Sequence, residues 1–177
     1  IIMIGEIRDI ETAEIAVKAA ITGHLVLSTI HTNNAPGTVF RLIDMGIEPF
    51  MVASSVAGVI AQRLIKKICP NCSYKYKASE EDLHVLGFKS SEEIMLYRGK
   101  GCTVCNKTGY KGRIGVYEIM TLNKFHRELI NKGCSEDVLR NELIKSGMVT
   151  LMENVKRCVL KGSTTLSEMI RISHSNT

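Results

Sequence analysis

The sequence predicts an α/β protein, on three observations. A strand–helix–strand pattern opens the chain, two identically spaced cysteine pairs interrupt its middle, and the stretch after them is helical in pattern. These segments divide the 177 residues into three expected parts: an α/β unit over 1–67, a cysteine module over 68–116 and a helical region over 117–177.

Ile1-Ile2-Met3-Ile4 is an uninterrupted apolar run, which reads as a strand buried on both faces. Residues 11–22 are rich in alanine with charges at 11, 14 and 18, a good helix former. Gly23 stands where a helix C-cap wants a glycine. Residues 24–30 (HLVLSTI) give a second strand. Strand, helix, strand almost always makes a right-handed crossover between parallel strands. Residues 36–45 and 49–67 read as two further helices. The first opens on Pro36, and the second ends in Arg63, Lys66 and Lys67, which suit a helix C-terminus. Within 68–116 the texture changes to Gly, Cys, Lys and Tyr, with a short helix expected over 79–87. Residues 113–120 (RIGVYEIM) look like a strand. From 123 to 173 the pattern is helical, with Thr165-Leu166-Ser167-Glu168 fitting a capping box.

Composition sets bounds. The hydrophobic fraction of 45% is ordinary for a globular chain, and a net charge of +5 falls well short of a nucleic-acid-binding tail. No basic segment leads into an apolar stretch with a small-residue cleavage site. The longest weakly charged stretch, 49–61, is shorter than the roughly 20 residues that cross a bilayer. With no initiator Met and an opening inside an apolar strand, the chain is expected to be a piece of a longer protein.

Four of the six cysteines form two C-x-x-C pairs, Cys69/Cys72 and Cys102/Cys105, separated by residues 73–101. Thiolates on paired tight turns converge on one tetrahedral Zn²⁺. The separation exceeds the usual two-knuckle spacing, so a further element must fit between the pairs. Two disulfides, or unlinked buried thiols, are the competing readings, and the absence of a secretory signal disfavours the disulfides. Cys134 and Cys158, in helical patterns, read as small core residues.

The charged cluster after the first strand points to chemistry. In an open α/β sheet, ligands bind outside the carboxyl ends of the strands. Glu6 follows the first strand by one glycine and His31 follows the second strand directly, so parallel strands put both on one edge. Alternation places Leu25, Leu27, Thr29 and His31 on one face. An apolar strand ending in a carboxylate is the Walker-B pattern, in which the acid serves Mg²⁺ or orients a water against a γ-phosphate. A solvated loop with local ion pairs over Glu6–Asp9 competes with that reading. His24, at the start of the second strand, lies at the wrong end for the same site.

The stretch IIMIGEIRDIETAEIAVKAAITGHLVLSTIHTN closely resembles the Walker-B and histidine-box segment of the ATPases that power type II secretion and type IV pilus assembly. APGTVFRLIDMGIEPF, AQRL, both cysteine pairs, TGYKGRIGVYEIM and GMVTLMENVKRCVLKGSTTLSEMIRI resemble the same family in the same order. The resemblance implies that 1–67 is the C-terminal part of a RecA-like, parallel-sheet ATPase core. It implies that Glu6 is the catalytic acid, with Arg8, Thr29, His24 and His31 at the nucleotide. It implies structural Zn at Cys69, Cys72, Cys102 and Cys105, with ATP and Mg as the ligands of the full-length parent. The expected parent is a homohexameric motor at the cytoplasmic face of the inner membrane, contacting a membrane platform protein. Retraction motors of the wider family typically lack the four cysteines, which points to the assembly and secretion branch. No G-x-x-x-x-G-K-[ST] occurs, so the phosphate cradle is missing and the chain alone is expected to be inactive. Gly5 stands where generic Walker-B strands carry Asp. The competing functions are a zinc-ribbon nucleic-acid binder, given basic residues such as Lys75, Lys77, Arg98 and Lys100 among tyrosines, and a protein-docking module without ATPase activity.

Overall fold

A computed structural model of the chain describes residues 1–174. The elements are β1 (Ile2–Ile4), α1 (Ile10–Ile21), β2 (Val26–Ser28), α2 (Gly37–Asp44), α3 (Pro49–Ser55), β3 (Gly58–Ile68), β4 (Ser73–Lys77), α4 (Glu80–Val85), β5 (Met95–Gly99), β6 (Tyr110–Thr121), α5 (Lys124–Asn131), α6 (Glu136–Lys145), α7 (Leu151–Leu160) and α8 (Leu166–His174). They form two compact units. The first comprises Ile1–Ala61 and Glu118–Thr150; the second comprises Gln62–Tyr117 and the chain from Leu151 onward. The helical segment after 117, expected as one region, is therefore divided at Thr150 between the two units.

In the first unit β1 and β2 are parallel, with Ile2 opposite Val26 and Ile4 opposite Ser28. α1 connects them, its N-terminus capped by Asp9, whose carboxylate accepts the Thr12 N–H at 2.8 Å. β1 is not buried on both faces. Ile2 and Ile4 are half-buried, but Met3 is 84% exposed, because the sheet has two strands and one of its faces is open. The unit's core is helical: Ala13 and Val17 of α1, Val39 and Leu42 of α2, and Val52 of α3 cluster with Met120 of β6, Ile130 of α5 and Leu139 of α6.

The helix expected over 49–67 is only half there. α3 ends at Ser55 and the chain turns extended, becoming β3, which pairs with β6. Along β3, Val59, Ala61, Arg63 and Ile65 turn inward while Ile60, Gln62 and Leu64 face out. This period of two, in a stretch rich in β-branched residues, outweighs the alanines and terminal lysines that suggested a helix.

In the second unit β4 and β5 form an antiparallel hairpin, Ser73 opposite Gly99 and Lys77 opposite Met95, with α4 in the connection. Its core gathers Ile65, Leu83, Leu96 and Val116 with Val155 and Val159 of α7 and Ile172 of α8. Thr165 caps α8 through its hydroxyl, which accepts the Glu168 N–H at 3.3 Å. The expected capping box is half made: the Glu168 carboxylate accepts the Lys66 N–H at 2.9 Å and the Arg171 guanidinium instead. Cys158 lies in α7 as expected, whereas Cys134 lies in the turn between α5 and α6.

Candidate functional site

The parallel β1–β2 pair delivers Glu6 and His31 to one edge. Ile7 N–H donates to Thr29 C=O at 2.9 Å, which carries the strand register one step beyond the sheet and aligns the two loops. Glu6 Oε2 holds Arg8 Nη2 at 2.6 Å, and His31 Nε2 lies 2.9 Å from Glu6 Oε1. The Glu6 side chain is 20% exposed; Arg8 and His31 lie open to solvent. The hydrogen bond from Arg8 holds the Glu6 carboxyl below its ordinary value. Partial burial works against it, and the charges of Arg8 and His31 add to it. Glu6 Oε1 is shielded from solvent yet receives no aligned hydrogen bond among the described residues. The site thus contains a carboxylate with one oxygen clamped by a guanidinium and the other, shielded from solvent, beside an imidazole.

Thr29 shares the edge but not the cluster, because its hydroxyl donates to Gly5 C=O at 2.7 Å and ties the two loops together. His24 is elsewhere. It precedes β2, and its Nδ1 lies 3.3 Å from both Ala19 C=O and Thr22 Oγ1 at the C-terminal end of α1.

Sequence reasoning missed the acids behind this edge. Glu118 of β6 is fully buried, and its Oε1 accepts the Ala35 N–H at 2.8 Å. Glu136 of α6 accepts from Asn34 Nδ2 at 2.9 Å, and Asn34 Oδ1 in turn accepts the Gly37 N–H at 2.6 Å. The signal for Glu118 was present: a carboxylate in the inward register of an apolar strand, between Val116 and Met120.

In the second unit the β4–β5 register solves the long spacing between the cysteine pairs. Cys69 and Cys72 precede β4, Cys102 and Cys105 follow β5, and the antiparallel pairing brings its two ends together, Lys100 N–H donating to Cys72 C=O at 3.0 Å. The four sulfurs lie within 4.8 Å of one another. Cys69–Cys102, Cys72–Cys105 and Cys102–Cys105 Sγ separations are 3.9, 3.8 and 3.7 Å. Disulfide sulfurs would be about 2 Å apart, and all six cysteines are free. A tetrahedral ion bound at the zinc–thiolate length of about 2.3 Å has sulfur–sulfur edges of about 3.8 Å. Cys105 Sγ also accepts the Cys102 and Gly109 N–H groups at 3.2 and 3.3 Å. Those bonds, the Cys102 N–H first, lower its thiol to about 6, while burial pushes Cys72 up to about 11. The cluster can hold a metal ion. Close turns make room for it: a Cβ on Gly99 would lie 2.2 Å from Gly109 O.

Three basic residues at this hairpin lie over its own tyrosines. Arg98 sits 4.5 Å from the Tyr76 ring centroid, and Lys75 and Lys100 sit 5.5 Å from those of Tyr97 and Tyr74.

A sequence model of the family described as Type II/IV secretion system protein matches residues 1–171. The chain is 46% identical over 173 residues to the type II secretion system protein E of Pseudomonas aeruginosa, covering 98% of this chain and 34% of that protein. It is 47% identical to the type IV pilus assembly ATPase PilB of Myxococcus xanthus, covering 96% of this chain and 31% of that protein. Among solved structures, the pilus retraction motor PilT with bound ADP superposes with a TM-score of 0.64 at 25% identity, over 96% of this chain and 38% of that one. The Legionella pneumophila ATPase DotB gives 0.65 at 17% identity, a likeness of fold, over 98% of this chain and 38% of that one. The chain spans about a third of the length of the curated relatives it matches.

Proposed function

The chain belongs to the type II/IV secretion system protein family, and on that premise we propose that it is the C-terminal part of a motor that hydrolyses ATP to drive pilin or pseudopilin assembly and protein secretion. One observation carries the chemical half of the reading: the Glu6 carboxylate, at the carboxyl end of β1, is clamped by Arg8 on one oxygen and faces the His31 imidazole at 2.9 Å with the other. Glu6 is the base that orients water against the γ-phosphate. His31, and Arg8 when it swings off the carboxylate, answer phosphate charge. Thr29 acts by bracing the loop. His24 belongs to the nucleotide region only by family likeness. Mg²⁺, if bound with the nucleotide, would supply charge neutralisation, and Glu6 would be the carboxylate of this cluster facing it.

The exposed apolar residues Met3, Leu25 and Leu27 fit a sheet completed by further strands of a longer protein. The Walker-A cradle lies in that same missing part, so the chain alone does not turn over ATP. The cysteine cluster holds structural Zn²⁺ and builds a module that contacts a membrane platform protein. The motor works as a homohexamer at the cytoplasmic face of the inner membrane. No helix among the described residues is long and apolar enough to cross a membrane. By function we assign 1–67 to the nucleotide core and 68–116 to the cysteine module, while 117–177 is shared, Glu118–Thr150 going with the first unit and Leu151 onward with the second. The nucleic-acid reading is weakened by the tyrosines, each of which has one face taken by the chain's own cation, whereas a stacking platform needs open rings.

The test is Glu6→Gln in the full-length protein, reading steady-state phosphate release beside binding of a fluorescent nucleotide. Turnover falls by about 10²-fold or more while binding stays near normal. Near-normal hydrolysis by Glu6→Gln overturns the assignment.

A further inference from the structure

We propose that Glu118 is a positioning residue for the Glu6–His31 site: its buried carboxylate fixes the loop that aims His31 at Glu6. The inference rests on the hydrolytic reading above and adds a residue to it. The His31 side chain is 90% exposed, so packing does not hold the imidazole, and its aim is set by the backbone that carries it. That backbone is the segment from Thr29 to Pro36, between β2 and α2. Its leading end is tied to the β1 loop by the Thr29–Gly5 and Ile7–Thr29 bonds. Its trailing end is tied by the Ala35 N–H, which donates to Glu118 Oε1 at 2.8 Å. His31 stands between the two ties.

A fully buried carboxylate is strongly disfavoured unless bonded, and the neighbours of Glu118 on the inward face of β6, Val116 and Met120, are apolar. An acceptor at this position fixes where the loop ends, next to the start of α2, where negative charge is also favoured by the helix dipole. Ala35 is itself fully buried, so solvent does not replace the acceptor.

The experiment uses the full-length protein with Glu118→Met, which keeps side-chain volume and removes the acceptor, and Glu118→Gln, which keeps an acceptor oxygen. Each is made alone and together with His31→Ala. Misplacing a reacting group by about 1 Å costs on the order of 10²-fold. Glu118→Met therefore lowers kcat about ten- to a hundredfold with KM for ATP little changed, and Glu118→Gln restores the larger part. In the His31→Ala background Glu118→Met costs little more, because its route to the site is already gone. An unchanged kcat in a folded Glu118→Met protein overturns the proposal. So does an equal loss in the His31→Ala background, or Glu118→Gln failing as badly as Met in either melting or rate. If Glu6→Gln retains hydrolysis, the hydrolytic reading itself fails; if Glu6→Gln is dead and Glu118→Met is not, only the positioning role fails.

Discussion

Glu168 shows what a single carboxylate does when the fold encloses it. It is 4% exposed, and it accepts the Lys66 N–H while pairing with Arg171 at 2.9 Å. Burial alone would raise its pKa, but the Arg171 bond, the Lys66 N–H and the two cations bring it below its ordinary value of 4.5. A group whose folded pKa is depressed adds stability that is complete above its unfolded value and is lost as pH falls through the folded value. Glu168→Gln should therefore lower stability by about 2 kcal/mol near neutral pH. The gap to wild type should narrow as the pH drops below about 4.5. Thermal melts of both proteins across that range check it; a gap constant with pH would separate the bonds from the charge. Glu6 was legible in sequence as the acid that closes an apolar strand, and Glu168 as the last residue of a capping box, but the buried role of Glu168 was not. What separates them is the partner each meets: Arg8 is two residues from Glu6, whereas Lys66 for Glu168 and Ala35 for Glu118 are brought in from distant parts of the chain, so the inward register of Glu118 was readable but its partner was not.

At the scale of elements, local pattern was readable wherever short-range signals agreed. α1 has its Asp9 cap and Gly23 stop, the cysteine pairs have their turns, and 113–120 lies inside β6. The stretch 56–67 failed because its composition allowed helix or strand, and the deciding contact, pairing with β6, is long-range. The β4–β5 hairpin hid for the same reason. Two element-scale outcomes are expected. The turn between α7 and α8 contains Gly162 at φ +73°, and a Cβ there would lie 2.7 Å from the Tyr97 ring. Gly162→Ala combines left-handed strain of about 1 kcal/mol with overpacking of about the same size, so a chemical-denaturation midpoint should report a loss of about 2 kcal/mol. The cysteine hairpin should yield one zinc per chain by elemental analysis. Cys69→Ser or chelation should remove it and lower the second unit's melting temperature by roughly 10 °C, since structural metal binding is folding energy. Freshly purified protein without metal and with all six thiols titratable would count against the zinc centre.

Over the whole molecule, each unit is assembled from two separated stretches of chain. The first needs Ile1–Ala61 and Glu118–Thr150, the second Gln62–Tyr117 and the chain from Leu151 onward. A chain cut after Tyr117 loses Met120, Leu122, Ile130, Leu139 and Leu143 from the first core. Residues 1–117 should therefore melt without a cooperative transition, whereas the 177-residue chain should show one; a sharp transition in the shorter chain would mean that 1–61 folds unaided. The same interleaving imposes a timetable during synthesis. At about 5–20 residues per second, the His31 loop leaves the ribosome several seconds before Glu118 is made. The four cysteines, all within 69–105, emerge in one continuous run between them. A nascent chain thus has its four cysteines together while the loop facing Glu6 is still unanchored, and the first unit, which carries Glu6 and His31, is closed only after the last of those cysteines has been translated.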